Sequence, residues 1–123
     1  MNKQENIVIR RFINASRYSF KGLAAAWKNE EAFRLEIAAA IIMIPSSFWI
    51  GSNAAEISLL IGTCFLVLIT ELLNSAIEAI VDRIGPELHE LSGRAKDIGS
   101  AAVMVSLIMT VSVWGLIIYK RYF

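Results

Sequence analysis

A chain of 123 residues that is 56% apolar, with a mean hydropathy of +0.56, carries too much apolar surface for a soluble domain of its size. A net charge of +1 points to no class of partner by itself, and no nucleic-acid partner is expected. The single cysteine, Cys64, excludes an intrachain disulfide and suits a small buried apolar position.

The N-terminus is polar as far as Asn6 and then basic, without the compact apolar core of a cleaved signal peptide, and is expected to be retained. From about residue 7 to 30 the pattern is that of an amphipathic helix. Ile9, Phe12, Ile13, Phe20, Leu23 and Trp27 recur at helical spacing, while Arg10, Asn14, Arg17, Lys21 and Lys28 follow the same period on another face. A helix of this kind lies along a membrane surface, with its apolar side among the acyl chains.

Three membrane spans are expected next, at about 35–50, 57–81 and 98–119. Ile37 to Ala55 and Ile98 to Tyr119 contain no charged residue. Each reaches or approaches the roughly 20 residues that cross about 30 Å of hydrocarbon. The whole is therefore an all-α membrane protein, a surface helix plus three transmembrane helices, forming one domain over 1–123. Lys3, Arg10, Arg11, Arg17, Lys21, Lys28 and Arg34 precede the first span, and Arg83, Arg94 and Lys96 lie in the 82–97 segment, which reads as a loop. The 51–56 turn has no Lys or Arg. The positive-inside rule then puts the N-terminus and the 82–97 segment in the cytoplasm, with the 51–56 turn and the C-terminus outside, although Lys120 and Arg121 count against it. Trp49, Trp114, Tyr119 and Tyr122 are expected as an outer aromatic belt.

The middle span carries the chemistry. Glu71, Asn74, Ser75, Glu78 and Asp82 stand at i, i+3, i+4, i+7 and i+11, on one stripe of a helix. Carboxylates inside a membrane helix are costly and are functional by default; their bland alternative is pairing with Arg or fixing helix packing. If this span runs inward, Asp82 marks its cytoplasmic end, Glu78 lies near the interface and Glu71 about 10 Å deeper. The shallower acid can share a divalent cation with a soluble phosphate compound, and the deeper one can meet a group carried by a lipid. Glu30 is a candidate second carboxylate, though its spacing alone suits an ordinary interfacial charge. Gly85-Pro86 ends the span. Beyond it Lys96 can meet phosphate as a point charge. No GxxxxGK loop and no protein-kinase signature occurs, and a lone histidine, His89, argues against a His-based metal site within one chain.

Four blocks resemble the bacterial integral membrane diacylglycerol kinase family along nearly the whole chain. They are Ala15-Ser-Arg-Tyr-Ser-Phe-Lys-Gly-Leu, Ala26-Trp-Lys-Asn-Glu-Glu-Ala-Phe-Arg, Glu71-Leu-Leu-Asn-Ser-Ala-Ile-Glu-Ala-Ile-Val-Asp-Arg and His89-Glu-Leu-Ser-Gly-Arg-Ala-Lys-Asp-Ile-Gly-Ser-Ala-Ala. The resemblance implies transfer of the γ-phosphoryl of MgATP to diacylglycerol, giving phosphatidic acid. It also implies a homotrimer in the bacterial inner membrane with shared active sites. By the same resemblance Glu71 is the general base with Asn74 beside it, and Glu30 and Glu78 bind the metal. Arg11, Tyr18, Glu30, Glu78, Glu87, Leu88, His89, Lys96 and Asp97 are implied at the nucleotide. Arg11, Ala15, Glu71, Ser100 and Trp114 are implied at the lipid. The alternatives are a polyprenol kinase of the same fold, against which the context of Trp27 and Ala32-Phe-Arg speaks, and a small proton-coupled transporter using Glu71 as its proton site. A noncatalytic membrane scaffold would not need two intramembrane acids.

Overall fold

The computed structural model describes residues 2–85 and 89–123; Pro86, Glu87 and Leu88, the second and third of them expected at the nucleotide, lie outside the described residues. Four helices follow one another: α1 (Lys3–Asn29), α2 (Glu31–Ile50), α3 (Ala54–Ile84) and α4 (Glu90–Tyr122). The chain divides into two compact units, 1–31 and 32–123, each described by itself.

The first unit is essentially α1. Its start is held by Glu5, whose carboxylate accepts the Asn2 N–H at 3.2 Å. Ile9, Phe12, Ile13, Phe20, Leu23 and Trp27 are all exposed on it, as an amphipathic surface helix requires. The helix breaks at Glu30, whose extended backbone (φ −116°, ψ 105°) separates α1 from α2.

In the second unit, α2, α3 and α4 are each long and apolar enough to cross a membrane. The distribution of side chains is that of a protein in lipid. Phe48, Phe65, Ile69, Leu73, Ile108 and Leu116 are exposed, whereas Ser47, Thr63, Glu71, Asn74, Ser106 and Thr110 are buried. Lipid solvates the apolar exterior, and the interior gains from small residues that pack closely and from polar groups that pair across helices. The apolar core joins Ala40 of α2 to Leu60 and Cys64 of α3 and to Trp114 and Ile117 of α4. Cys64 is buried, as expected.

Antiparallel α3 and α4 are fastened along their length. Lys120 Nζ meets Glu56 Oε1 at 2.7 Å, Trp114 Nε1 donates to Thr63 Oγ1 at 3.1 Å, and the Thr70 and Ser106 hydroxyls lie 3.0 Å apart. At the other end Lys96 Nζ meets Asp82 Oδ1 at 2.7 Å. Trp114 thus departs from the expected aromatic belt. Its ring is in the core and its indole N–H is satisfied there, while Trp49, Tyr119 and Tyr122 are exposed.

Helix limits also depart from the apolar runs. α3 starts at a cap, Asn53, whose Oδ1 accepts the Glu56 N–H at 2.9 Å, and it ends at Gly85 with φ +145°. The 82–97 segment is not a loop throughout. Asp82 and Arg83 finish α3, and Glu90 to Asp97 form the first two turns of α4. His89 caps that helix by accepting the Leu91 N–H at 3.1 Å, and Arg94 pairs with Glu90 at 3.6 Å one turn apart. Hydropathy marks the part of a helix that lipid can solvate; caps and local ion pairs decide where the helix stops.

Candidate active site

The buried face of α3 runs through Leu60, Thr63, Cys64, Val67, Glu71 and Asn74, separated by three or four residues throughout. The polar stripe of the sequence is the continuation of this packing stripe toward the C-terminal end. Its N-terminal half is mostly apolar and belongs to the core. Its C-terminal half is polar and grows more exposed with each turn: Glu71 is 5% and Asn74 8% exposed, Ser75 and Glu78 are half-buried, and Asp82 is exposed. A carboxylate at Glu71 is thereby withdrawn from water, while Glu78 and Asp82, farther along the same face, are progressively open to it.

Asn74 lies between the two acids along the helix and bonds to the second. Its Nδ2 donates to Glu78 Oε1 at 3.3 Å, so the amide holds one carboxylate oxygen of the next turn. Its Oδ1 is buried without a hydrogen-bond partner among the described residues, and so is the Ser75 hydroxyl. Buried polar atoms left unsatisfied are rare and costly, and a cluster of them is where a polar ligand would restore the missing bonds.

One more acid belongs to this cluster. Glu36, in the second turn of α2, has Oε2 buried and unpartnered among the described residues, and its charge interacts with that of Glu71. Ala40, one turn after Glu36, joins the core at Leu60 and Cys64 of α3. Glu36 falls within the expected first span, 35–50, but is not singled out there. Its signal in the sequence is its place just ahead of the charge-free run that begins at Ile37.

From α4 come Lys96, Asp97, Gly99 and Ser100. Lys96 is held by Asp82, and Asp97 and Ser100 are exposed on the same turns. Gly99 is buried against the Asn74 amide. His89 stands at the head of α4, its Nδ1 engaged in the cap. Trp114 is buried beside Thr63, two turns of α3 before Glu71. Lys96, Asp82, Glu78 and Asn74 therefore form one polar end of the α3/α4 pair, and Trp114 is not part of that end. Arg11, Ala15, Tyr18 and Glu30 all belong to the first unit, where Arg11, Ala15 and Tyr18 are exposed and Glu30 is half-buried at the break between α1 and α2.

The donors of this polar end fit the chemistry of Mg²⁺. No group of three or more His, Cys, Asp or Glu able to hold a metal occurs among the described residues. Mg²⁺ does not need one: it is bound through one or two carboxylates together with substrate phosphates and water. Glu78, hard, half-buried and already oriented through one oxygen, is suited to that role.

The chain is similar over most of its length to known enzymes. The model of the prokaryotic diacylglycerol kinase family matches residues 17–118. The diacylglycerol kinase of Escherichia coli K12 is 51% identical over 112 residues, covering 91% of this chain and 92% of that protein. The diacylglycerol kinase of Haemophilus influenzae is 53% identical over 107 residues, covering 87% and 91%. That of Pseudomonas aeruginosa is 44% identical over 110 residues, covering 89% of each. With a match of this extent, laid over three membrane-spanning helices and a buried acidic stripe, the chain belongs to the prokaryotic diacylglycerol kinase family.

Proposed function

We propose that the chain, an ATP-dependent diacylglycerol kinase of the membrane, performs its reaction with Glu71 as the general base. The observation that carries this reading is a carboxylate 5% exposed within a lipid-crossing helix, on the same face as a chain of polar groups leading outward to Asn74, Glu78 and Asp82. Glu71 takes the proton of the lipid hydroxyl. The hydroxyl oxygen bonds to the γ-phosphorus as the bond from that phosphorus to the β,γ-bridging oxygen breaks, and ADP leaves with the electron pair. Phosphoryl transfer asks the protein mainly for positioning and electrostatic stabilisation, which a buried base and a set of fixed charges provide.

Glu30 and Glu78 would hold Mg²⁺, which supplies neutralisation of the phosphate charge when bound. Asn74 keeps Glu78 oriented. Arg11, Tyr18, Glu87, Leu88, His89, Lys96 and Asp97 serve the nucleotide, with Lys96 exchanging its present partner Asp82 for a phosphate oxygen. Arg11, Ala15 and Ser100 contact the lipid, whereas Trp114, expected with them, is enclosed in the core against Thr63. The enzyme is a homotrimer in the inner membrane, its N-terminus and the polar end of α3/α4 in the cytoplasm, where MgATP is available. The acceptor is diacylglycerol rather than a polyprenol, in keeping with the diacylglycerol kinases the chain is similar to.

The test is Glu71→Gln in defined lipid, assayed with diacylglycerol, undecaprenol or neither. Gln fills the same volume and hydrogen-bonds but cannot accept the proton. Turnover on diacylglycerol should fall by about 10² to 10⁴-fold, with oligomer size and MgATP binding retained. A well-assembled variant with near-normal turnover would remove the general-base role.

A further inference from the structure

We propose that Gly99 is a positioning residue for metal binding, acting through Asn74 on Glu78. The proposal rests on the reading of Glu78 as a metal-holding acid. Gly99 lies on the buried face of α4, and a Cβ built there would collide with Asn74 Oδ1. The next atoms it would meet are Asn74 Cγ at 3.4 Å and Ile77 Cδ1 at 3.6 Å, both ordinary contacts. The missing methyl of Gly99 is thus the space that Asn74's oxygen occupies.

The orientation of the amide follows from chemistry. A carboxylate only accepts, so the Asn74 group that meets Glu78 Oε1 has to be the N–H, at 3.3 Å. The oxygen is then turned toward α4, where it has no donor among the described residues. A hydroxyl, amide or larger side chain at position 99 would compete for that space, and any Cβ would force the Asn74 side chain to rotate. Asn74 is buried, so it cannot swing out to water; it can relieve the clash only by moving the amide away from Glu78. Glu78 then loses its orienting donor. Partners that orient a metal ligand from the second layer are worth about 10- to 100-fold in metal affinity or activity.

The atom that must move is the far end of a side chain, not backbone, so the main consequence falls on the site and not on helix packing. Gly99→Ala, Asn74→Ala, the double variant and Glu78→Gln would be purified in the same detergent. Two readouts are taken: the Mg²⁺ concentration for half-maximal turnover, and Mn²⁺ binding followed by electron paramagnetic resonance in the presence of a non-hydrolysable ATP analogue. Thermal unfolding and oligomer size serve as controls.

Gly99→Ala should weaken Mn²⁺ binding and raise the Mg²⁺ requirement by about 10- to 100-fold. The double variant should be no worse than Asn74→Ala, because the clash has no partner once the amide is gone. Glu78→Gln with weakened binding but Gly99→Ala with normal binding would overturn the Gly99 role and leave Glu78 standing. Losses that add in the double variant would also overturn it. Normal Mn²⁺ binding in Glu78→Gln would instead sink the metal reading, and this inference with it. Should Gly99→Ala not fold, Asn74→Ala/Gly99→Ala decides: folding and metal binding equal to Asn74→Ala support the proposal, and anything poorer refutes it.

Discussion

Glu71 and Glu78 are two turns apart on one helix face and differ in what surrounds them. Glu71 is enclosed, whereas Glu78 is half-buried and hydrogen-bonded to Asn74. Their different burial suits different roles, a base that meets a lipid hydroxyl and an acid that meets a cation near water. Glu78→Gln keeps size and a hydrogen-bonding group but removes the charge a hard cation requires. The variant should fold and assemble normally yet need far more Mg²⁺ for turnover, measured as activity against Mg²⁺ concentration. An unchanged titration curve would take Glu78 out of the metal site. The five polar positions of α3 were legible in the sequence because helical periodicity alone puts them on one stripe. Glu36 was not, because its significance lies in its interaction with Glu71 on another helix.

At the scale of the element, α3 combines two tasks on one face. At Leu60 and Cys64 it packs against Ala40 and Trp114, and from Glu71 to Asp82 it presents polar groups. The helix has to be stopped sharply after Asp82 so that the chain can return to α4, and Gly85 does this at φ +145°, ψ 167°. That conformation is open essentially only to glycine and costs other residues about 1–3 kcal/mol. Gly85→Ala should therefore lower the unfolding free energy by about that amount, read from thermal unfolding in a fixed detergent. A variant as stable as the parent would show that the connection can turn another way. The stop at Gly85 was readable from residue types. The early start of α4 was not, since its first two turns are charged; the His89 cap, the Glu90–Arg94 pair and the Lys96–Asp82 bridge support them.

On the scale of the molecule, α3 and α4 are closed by an ion pair at each end, Glu56–Lys120 and Asp82–Lys96. The first bears on orientation. Lys120 and Arg121 are the cations that oppose the inward-facing assignment of the N-terminus, and in the folded chain Lys120 is paired with Glu56 while Arg121 donates to Ser52 Oγ at 3.3 Å. Those two cations are outnumbered by the seven that precede the first span and the three of the 82–97 segment, which is what the positive-inside rule counts. In a Cys64→Ala background, an impermeant thiol reagent applied from the periplasm should label Asn53→Cys and leave Ser92→Cys unlabelled. Periplasmic labelling of Ser92→Cys would invert the arrangement.

The sequence by itself determined that the chain is helical and crosses a membrane, because hydropathy and helical period are local properties that lipid reads directly. It also determined which face of α3 is polar, and its motifs pointed to the family. Only the tertiary structure decided that Trp114 is a core residue hydrogen-bonded to Thr63, that Glu36 has a buried, unpartnered oxygen, and that Gly99 makes room for Asn74. Each of these depends on the antiparallel register between helices. Register is set by the summed fit of many side chains across two faces, and no single segment of sequence contains it.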